Sequence, residues 1–186
     1  MKAFLLLLLV SLSTPLYAAQ QSFNFKSFQI PDNGRIVVPV AESNALSGVA
    51  LTINEKSSGA LQRAMSEAAF TGKTNSTLTL YGVEPYSRID LIGVGNKALD
   101  RSAAEDFGGT AAATLADVTG SKIQILWQVQ SAEEAATAAR VAFGYQLRSY
   151  RFDRYQEDKL DRATLPTVEL YSTDGSGPAF EQDLTH

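Results

Sequence analysis

Between residues 102 and 150 the sequence reads helix, strand, helix, and no other feature narrows the fold as much. Ser102-Ala103-Ala104-Glu105 has the spacing of a capping box, in which a hydroxyl and a carboxylate each satisfy an unpaired N–H group at a helix start. It opens an alanine-rich segment that ends near Val118. Ser131-Ala132-Glu133-Glu134 repeats the signal before a second helix that runs to about Tyr150. In that helix Ala136, Ala139, Phe143, Leu147 and Tyr150 recur at spacings of three and four, which marks them as its buried stripe. Between the helices Ile123, Ile125, Trp127 and Val129 alternate with other residues at period two, the pattern of a strand. A strand flanked in sequence by two such helices calls for a layered α/β arrangement.

The remainder of the chain supplies the other strands. Phe23, Phe25, Phe28 and Ile30 predict a half-buried strand over residues 22–30, and Pro31-Asp32-Asn33-Gly34 a turn. Ile36, Val37, Val38 and Val40 make a β-branched strand over residues 35–40, stopped around Pro39. Residues 49–53 fit strand or helix equally. Ser57 and Ser58 are placed to cap a helix over residues 59–69, with Leu61, Met65 and Ala68 on one stripe. Leu78 and Leu80 share one face of a strand over residues 76–81. Ile89, Leu91, Ile92 and Val94 form a nearly continuous apolar run, suited to a central strand covered on both faces. A last short strand falls over residues 167–171. The order predicts an α/β fold with a mixed sheet and helices on its faces.

Composition then excludes whole classes of chemistry. There is no cysteine in the 186 residues, so thiolate catalysis, zinc-thiolate sites and iron–sulfur clusters are ruled out. A net charge of −4 gives no general attraction to nucleic acid, whose binding rests on neutralised phosphates. Lys2, the apolar run over residues 3–10 and the small residues Ala18 and Ala19 have the layout of a secretory signal peptide. The run is too short to span a bilayer, which takes roughly 20 apolar residues. The expectation is a signal over residues 1–19, one domain over residues 20–171, and a polar tail or linker over residues 172–186. The mature protein is then periplasmic or secreted, without a membrane anchor.

The one histidine is His186, at a poorly constrained position for a catalytic base. Asp100, Glu105 and Asp106 cluster at the front of one helix and Glu133 and Glu134 at the front of another, where the macrodipole stabilises negative charge without any catalytic role. Asp153, Glu157, Asp158 and Asp161 alternate with Arg151, Arg154, Lys159 and Arg162, the pattern of a solvated mixed-charge surface. No two carboxylates sit together between apolar strand residues. Gly93-Val94-Gly95-Asn96-Lys97-Ala98 fits the glycine spacing of a dinucleotide fingerprint, but the helix cap at Ser102 comes several residues late. Gly72-Lys73-Thr74 resembles the end of a P-loop, yet Glu67 stands where that loop's first glycine belongs. The reading is therefore no catalytic, metal or cofactor-binding residue in this chain.

Three segments in order carry a resemblance: Phe70-Thr71-Gly72-Lys73 after a helix, Leu91-Ile92-Gly93-Val94-Gly95-Asn96-Lys97 ending a strand, and Tyr150-Arg151-Phe152-Asp153-Arg154-Tyr155 closing a long helix. Together they resemble the N-terminal domain of the leucyl (cytosol) aminopeptidase family of two-metal peptidases, over roughly residues 23–171. The resemblance implies a macro-domain-like three-layer sandwich that is non-catalytic and serves assembly. The two divalent metals and their ligands would belong to a separate C-terminal domain. In some bacterial members this domain also binds DNA, a property that the export signal and acidic charge disfavour here. Two readings follow: a free-standing exported module that self-associates or binds a partner, or the N-terminal fragment of an exported metalloaminopeptidase whose catalytic domain is missing. A third rests on fold analogy, with a nucleotide-like ligand in a macro-type cleft near residues 93–97 and Gly108-Gly109. A partner surface is expected at Tyr150, Arg151, Phe152, Arg154 and Tyr155, because Tyr and Arg often anchor interfaces.

Overall fold

The computed structural model describes residues 23–43, 45–97, 99–128, 134–155 and 166–172, with residues 134 and 150–155 described through their backbone alone. The described elements are β1 (Phe23–Ser27), β2 (Gly34–Ala41), α1 (Gly48–Lys56), α2 (Ala60–Glu67), β3 (Thr77–Val83), β4 (Tyr86–Gly95), α3 (Arg101–Thr114), β5 (Lys122–Leu126), α4 (Glu134–Tyr155) and β6 (Thr167–Ser172). The strands form one sheet in the order β1-β6-β5-β2-β4-β3. Neighbours run parallel except β3, which lies antiparallel to β4 at one edge. The sheet is therefore mixed, as the sequence predicts.

Alternation along the strands divides the core in two. Val37, Ile92, Ile123, Ile125, Trp127, Val168 and Leu170 point to one face, where they meet α3 and α4. Ile36, Val38, Val40, Ile89, Leu91, Leu126 and Tyr171 point to the other, under α1 and α2. The sheet thus lies between two helical layers, the three-layer sandwich expected of this pattern. Burying apolar surface on both faces explains why β2 and β4 read as near-continuous apolar runs.

Several local expectations are corrected. Residues 49–53 are helical, within α1. Ser57 does not cap α2; its hydroxyl donates to the carbonyls of Ile53 and Asn54 at the end of α1, and α2 starts from Gly59 in a left-handed conformation. The N-cap of α3 is Asp100 rather than Ser102, with its carboxylate accepting the Ala103 N–H at 2.8 Å. A charged acceptor at a helix start gains from the macrodipole as well as from the hydrogen bond. α3 ends at Thr114, short of Val118. Pro39 does not stop β2, because the pairing with β5 covers only Arg35, Ile36 and Val37. β1 ends at Ser27 rather than Ile30, and β6 takes in Ser172, which is fully buried.

The stripe assigned to α4 holds at Ala139 and is otherwise out of phase. The buried residues are Ala138, Ala139, Val141, Ala142 and Tyr145, whereas Leu147 is 45 % exposed. Phe143 is half-buried beneath the Arg140 guanidinium, 5.3 Å from its ring centre. Large side chains misled the pattern because α3 and α4 pack through small ones. A Cβ at Gly144 would fall on the Glu105 carbonyl, and one at Gly108 on that of Val141. Helix α4 runs five residues beyond Tyr150, to Tyr155. The signal segment, the Ser131 capping box, His186 and the polar tail beyond Ser172 lie outside the described residues.

Candidate functional site

The C-terminal ends of β2 and β4 are where an open parallel sheet commonly binds a ligand, and here the chain's own loop occupies them. Residues 70–76, between α2 and β3, fold over the end of β4. The Gly95 N–H donates to the Gly72 carbonyl at 3.0 Å, the Gly93 N–H to the Ser76 carbonyl at 2.8 Å, and the Asn75 N–H to the Gly93 carbonyl at 2.9 Å. Gly95 has φ +76° and is buried. A Cβ at Gly93 would coincide with the Lys73 carbonyl oxygen. Gly93 admits the backbone of the loop, and Gly95 admits its Thr74 side chain while holding a positive φ. The first two segments behind the family resemblance are thus a single packing unit.

This bears on the cleft reading. Gly93 and Gly95 carry no open anion cradle, and Gly108 lies at the α3–α4 contact. Gly109, unlike Gly108, lines a groove of about 570 Å³ on the outside of the α3–α4 pair, as does Gly144. Asn75, Thr77, Glu105, Asp106, Thr110 and Leu147 contribute to its lining. Glu105 is 3.5 Å from the Arg140 guanidinium, and Asn75 accepts a 3.3 Å hydrogen bond from Thr110. The groove offers the carboxylates of Glu105 and Asp106, the Arg148 guanidinium, threonine hydroxyls and one apolar lip at Leu147.

The sequence reading passed over a buried charged cluster at the other end of β4. Arg88 and Asp90 are 6 % and 1 % exposed. Arg88 Nε lies 2.8 Å from Asp90, Nη2 donates to the Thr114 carbonyl at 2.9 Å, and Nη1 reaches the exposed Asp117 at 3.3 Å. The other Asp90 oxygen accepts from the Thr79 hydroxyl at 2.6 Å. Burial works against the charge on Arg88, but the hydrogen bond and charge of Asp90 outweigh it, and Asp117 adds to them, so its pKa is raised. A pattern of two carboxylates in a strand does not mark this pair, whose signal is an arginine and an aspartate two residues apart on one face. With each partner engaged, the pair ties β4 to β3 and to the end of α3.

A second polar network lies across β5 and β6. The Tyr171 hydroxyl donates to Glu169 at 2.8 Å and lies 3.4 Å from Gln124, whose amide donates to the Asn33 carbonyl at 2.9 Å. Burial, then the hydrogen bond to Glu169, pushes the Tyr171 phenol up to about 12. Burial opposes ionisation of Glu169, yet hydrogen bonds from Tyr171 and Lys122 hold its pKa below the ordinary carboxylate value. Among the described residues no group of three or more Asp, Glu or His side chains is placed to hold a metal ion. Asp100 is a cap, Glu105 meets Arg140 and Asp106 borders the groove. Tyr150, Arg151, Phe152, Arg154 and Tyr155 fall on the last turns of α4, and their side chains, with those of the acidic residues after them, lie outside the described set.

Comparison with known proteins gives one direction. Residues 37–159 match the family model for the N-terminal domain of the cytosol aminopeptidase family. A probable cytosol aminopeptidase of Caulobacter vibrioides is 34 % identical over 152 residues, covering 79 % of this chain and 29 % of the relative. One from Chelativorans sp. is 30 % identical over 136 residues, covering 71 % of this chain and 27 % of the relative. The chain thus spans under a third of the length of these relatives. Among solved structures, a mutant tomato leucine aminopeptidase superposes with TM-score 0.68 at 19 % identity, over 90 % of this chain and 36 % of that one. A Trypanosoma brucei macrodomain in complex with ADP-ribose superposes with TM-score 0.54 at 16 % identity, over 87 % of this chain and 68 % of that one. These two likenesses establish the macro-like fold.

Proposed function

Because the chain belongs to the cytosol aminopeptidase family through its N-terminal domain, we propose that it is an exported, non-catalytic module whose work is assembly, with copies of itself or with an aminopeptidase catalytic domain. The observation that carries this reading is the placement of the family match. It runs over residues 37–159, from within β2 to beyond α4, while the aligned part accounts for only 29 % of the Caulobacter relative. The polar clusters within the sheet support it, since the Arg88–Asp90 pair and the Tyr171–Glu169 pair bind elements of the fold to each other. Nucleotide binding draws no support from Gly93, Gly95 and Gly108, where the chain's own atoms occupy the space a Cβ would take.

The test uses the full chain produced by export. Its mass is measured by light scattering, alone and mixed with a separately expressed cytosol aminopeptidase catalytic domain, and hydrolysis of a leucine anilide is followed. A larger species, with no hydrolysis by the chain alone in the presence of divalent metal, is the expected result. Hydrolysis by the chain alone refutes the non-catalytic role, and a monomer that ignores the catalytic domain refutes assembly. Within this reading the interface includes Tyr150, Arg151, Phe152, Arg154 and Tyr155. Replacing Arg151 and Arg154 by alanine is expected to reduce the assembled fraction.

A second reading is favoured by the short span of the chain relative to its relatives: it is the N-terminal part of an exported metalloaminopeptidase. An adjacent coding frame for a two-metal peptidase domain would support it, and an unrelated neighbouring gene would count against it.

A further inference from the structure

The two edges of the sheet are not protected alike. β1 is five residues long and carries Lys26, a short charged edge of the kind that resists pairing. β3, at the opposite edge, has seven residues, Thr-Leu-Thr-Leu-Tyr-Gly-Val, with no charge and no proline. Its composition is that of a strand suited to a neighbour on each side, yet among the described residues it pairs only with β4. The phase of the free edge follows from the ladder. The Gly93 N–H donates to the Ser76 carbonyl, so in an antiparallel pair Leu78 and Leu80 direct their backbone groups to β4 and Thr77, Thr79 and Tyr81 direct theirs outward. Tyr81, stacked 5.4 Å from the Arg88 guanidinium, remains 67 % exposed.

From this we infer that β3 is a self-recognition edge, at which a second copy of the chain adds its own β3 antiparallel across a two-fold axis. The pairing gives the assembly reading a surface, and rests on that reading only for its purpose. The strand is self-complementary in one register. Centring the axis on Thr79 pairs Thr77 with Tyr81 of the second copy and uses the outward N–H and C=O groups of all three residues. The same register sets Leu78 opposite Leu80 on the face that already packs against the α1–α2 core, and extends that apolar row across the junction. A chain of net charge −4 repels its copies in general, and an uncharged strand is where that repulsion is least. The length of the strand also limits the strength. At about 3.4 Å per residue it is about 24 Å long, and its pairing alone buries less than the roughly 1,200–2,000 Å² of a stable complex. The association is therefore weak and concentration-dependent.

Sedimentation of the exported full chain over a wide concentration series, with Tyr81→Lys beside it, is the first test. A monomer–dimer equilibrium is expected, and about tenfold weaker association in the variant, because both Tyr81–Thr77 pairs are lost. The absence of cysteine allows a second test that is specific for register. Thr79→Cys places two sulfurs opposite one another, at a Cα separation of about 5.5 Å that a disulfide accepts. Thr77→Cys leaves them about 13 Å apart. Mild oxidation should link the first variant and not the second. A wild-type chain that is monomeric at every concentration overturns the proposal, as does a dimer in which Thr79→Cys links no better than Thr77→Cys. If the chain dimerises through β3 but ignores the catalytic domain, pairing stands and that partner is lost. If it binds the catalytic domain while β3 stays unpaired, assembly stands and this surface is lost.

Discussion

The two ends of β4 solve the same problem by opposite means. At the Tyr86 end the strand carries charge into the interior, and side chains neutralise it: Asp90, Asp117 and the Thr114 carbonyl surround Arg88. At the Gly95 end two glycines flank Val94, and backbone and short side chains from residues 72–76 fill the space beside them. The first end tolerates chemical change poorly and the second tolerates volume poorly. Both are closed, one by ion pairing and one by packing, and this leaves the outer surfaces to carry function.

The largest expected effect comes from splitting the charge pair. Asp90→Ala leaves Arg88 buried without its nearest carboxylate, a loss that costs about 3–5 kcal/mol, with Asp117 and the Thr114 carbonyl holding it to the lower figure. Replacing Arg88 by Met and Asp90 by Leu together should cost far less, because neither charge is then left alone. Urea unfolding of the three proteins checks the contrast, and equal losses in the single and double variants would show that shape, not charge, governs this end. Next is Gly93→Ala, whose Cβ meets the Lys73 carbonyl; it should cost about 2–3 kcal/mol by overpacking. The same change at exposed Gly82, where a Cβ meets nothing within 4 Å, should be milder, limited to the strain of φ +63°. Gly93 itself has no positive φ, so a loss there no larger than at Gly82 would show that volume does not govern the Gly95 end.

The smallest effect sharpens the Tyr86 end. The Tyr86 hydroxyl donates to the Pro31 carbonyl at 3.0 Å, and burial followed by the Asp32 charge raises its pKa. A raised phenol stabilises the fold fully below the ordinary value of about 10, and this contribution is lost as pH rises through the raised value. Tyr171, at about 12, acts in the same direction. Stability should therefore fall from about pH 10 upward. Tyr86→Phe should cost about 1 kcal/mol at neutral pH and flatten part of that fall. An unchanged alkaline profile in the variant would assign the loss to other tyrosines.

What could be read in advance follows from the range of each interaction. The layers, the strands and the mixed sheet were legible because period-two alternation and apolar runs report burial locally, as Ile123, Ile125 and Trp127 do. The phase of α4 was not, because Gly108 and Gly144 select the contact face by letting backbones approach, which no hydrophobicity pattern records. The Asp100 cap lost to Ser102 in the reading because both residue types cap helices and only geometry decides between them. The partners of Arg88 lie two, 26 and 29 residues away, and only the first could have been guessed from spacing.

The strand order also has a consequence for synthesis. β1 pairs with β6, and β6 is what joins it to β5. The first described strand to emerge from a ribosome therefore has no neighbour until β6 has followed it, nearly 150 residues later by the Phe23–Val168 pairing. Until then β5 is an open edge and the half of the core lined by Val168 and Leu170 is uncovered. Such non-local closure slows folding. A sheet that closes only with β6 gives β1 no native partner while the ribosome is still making the segments between them.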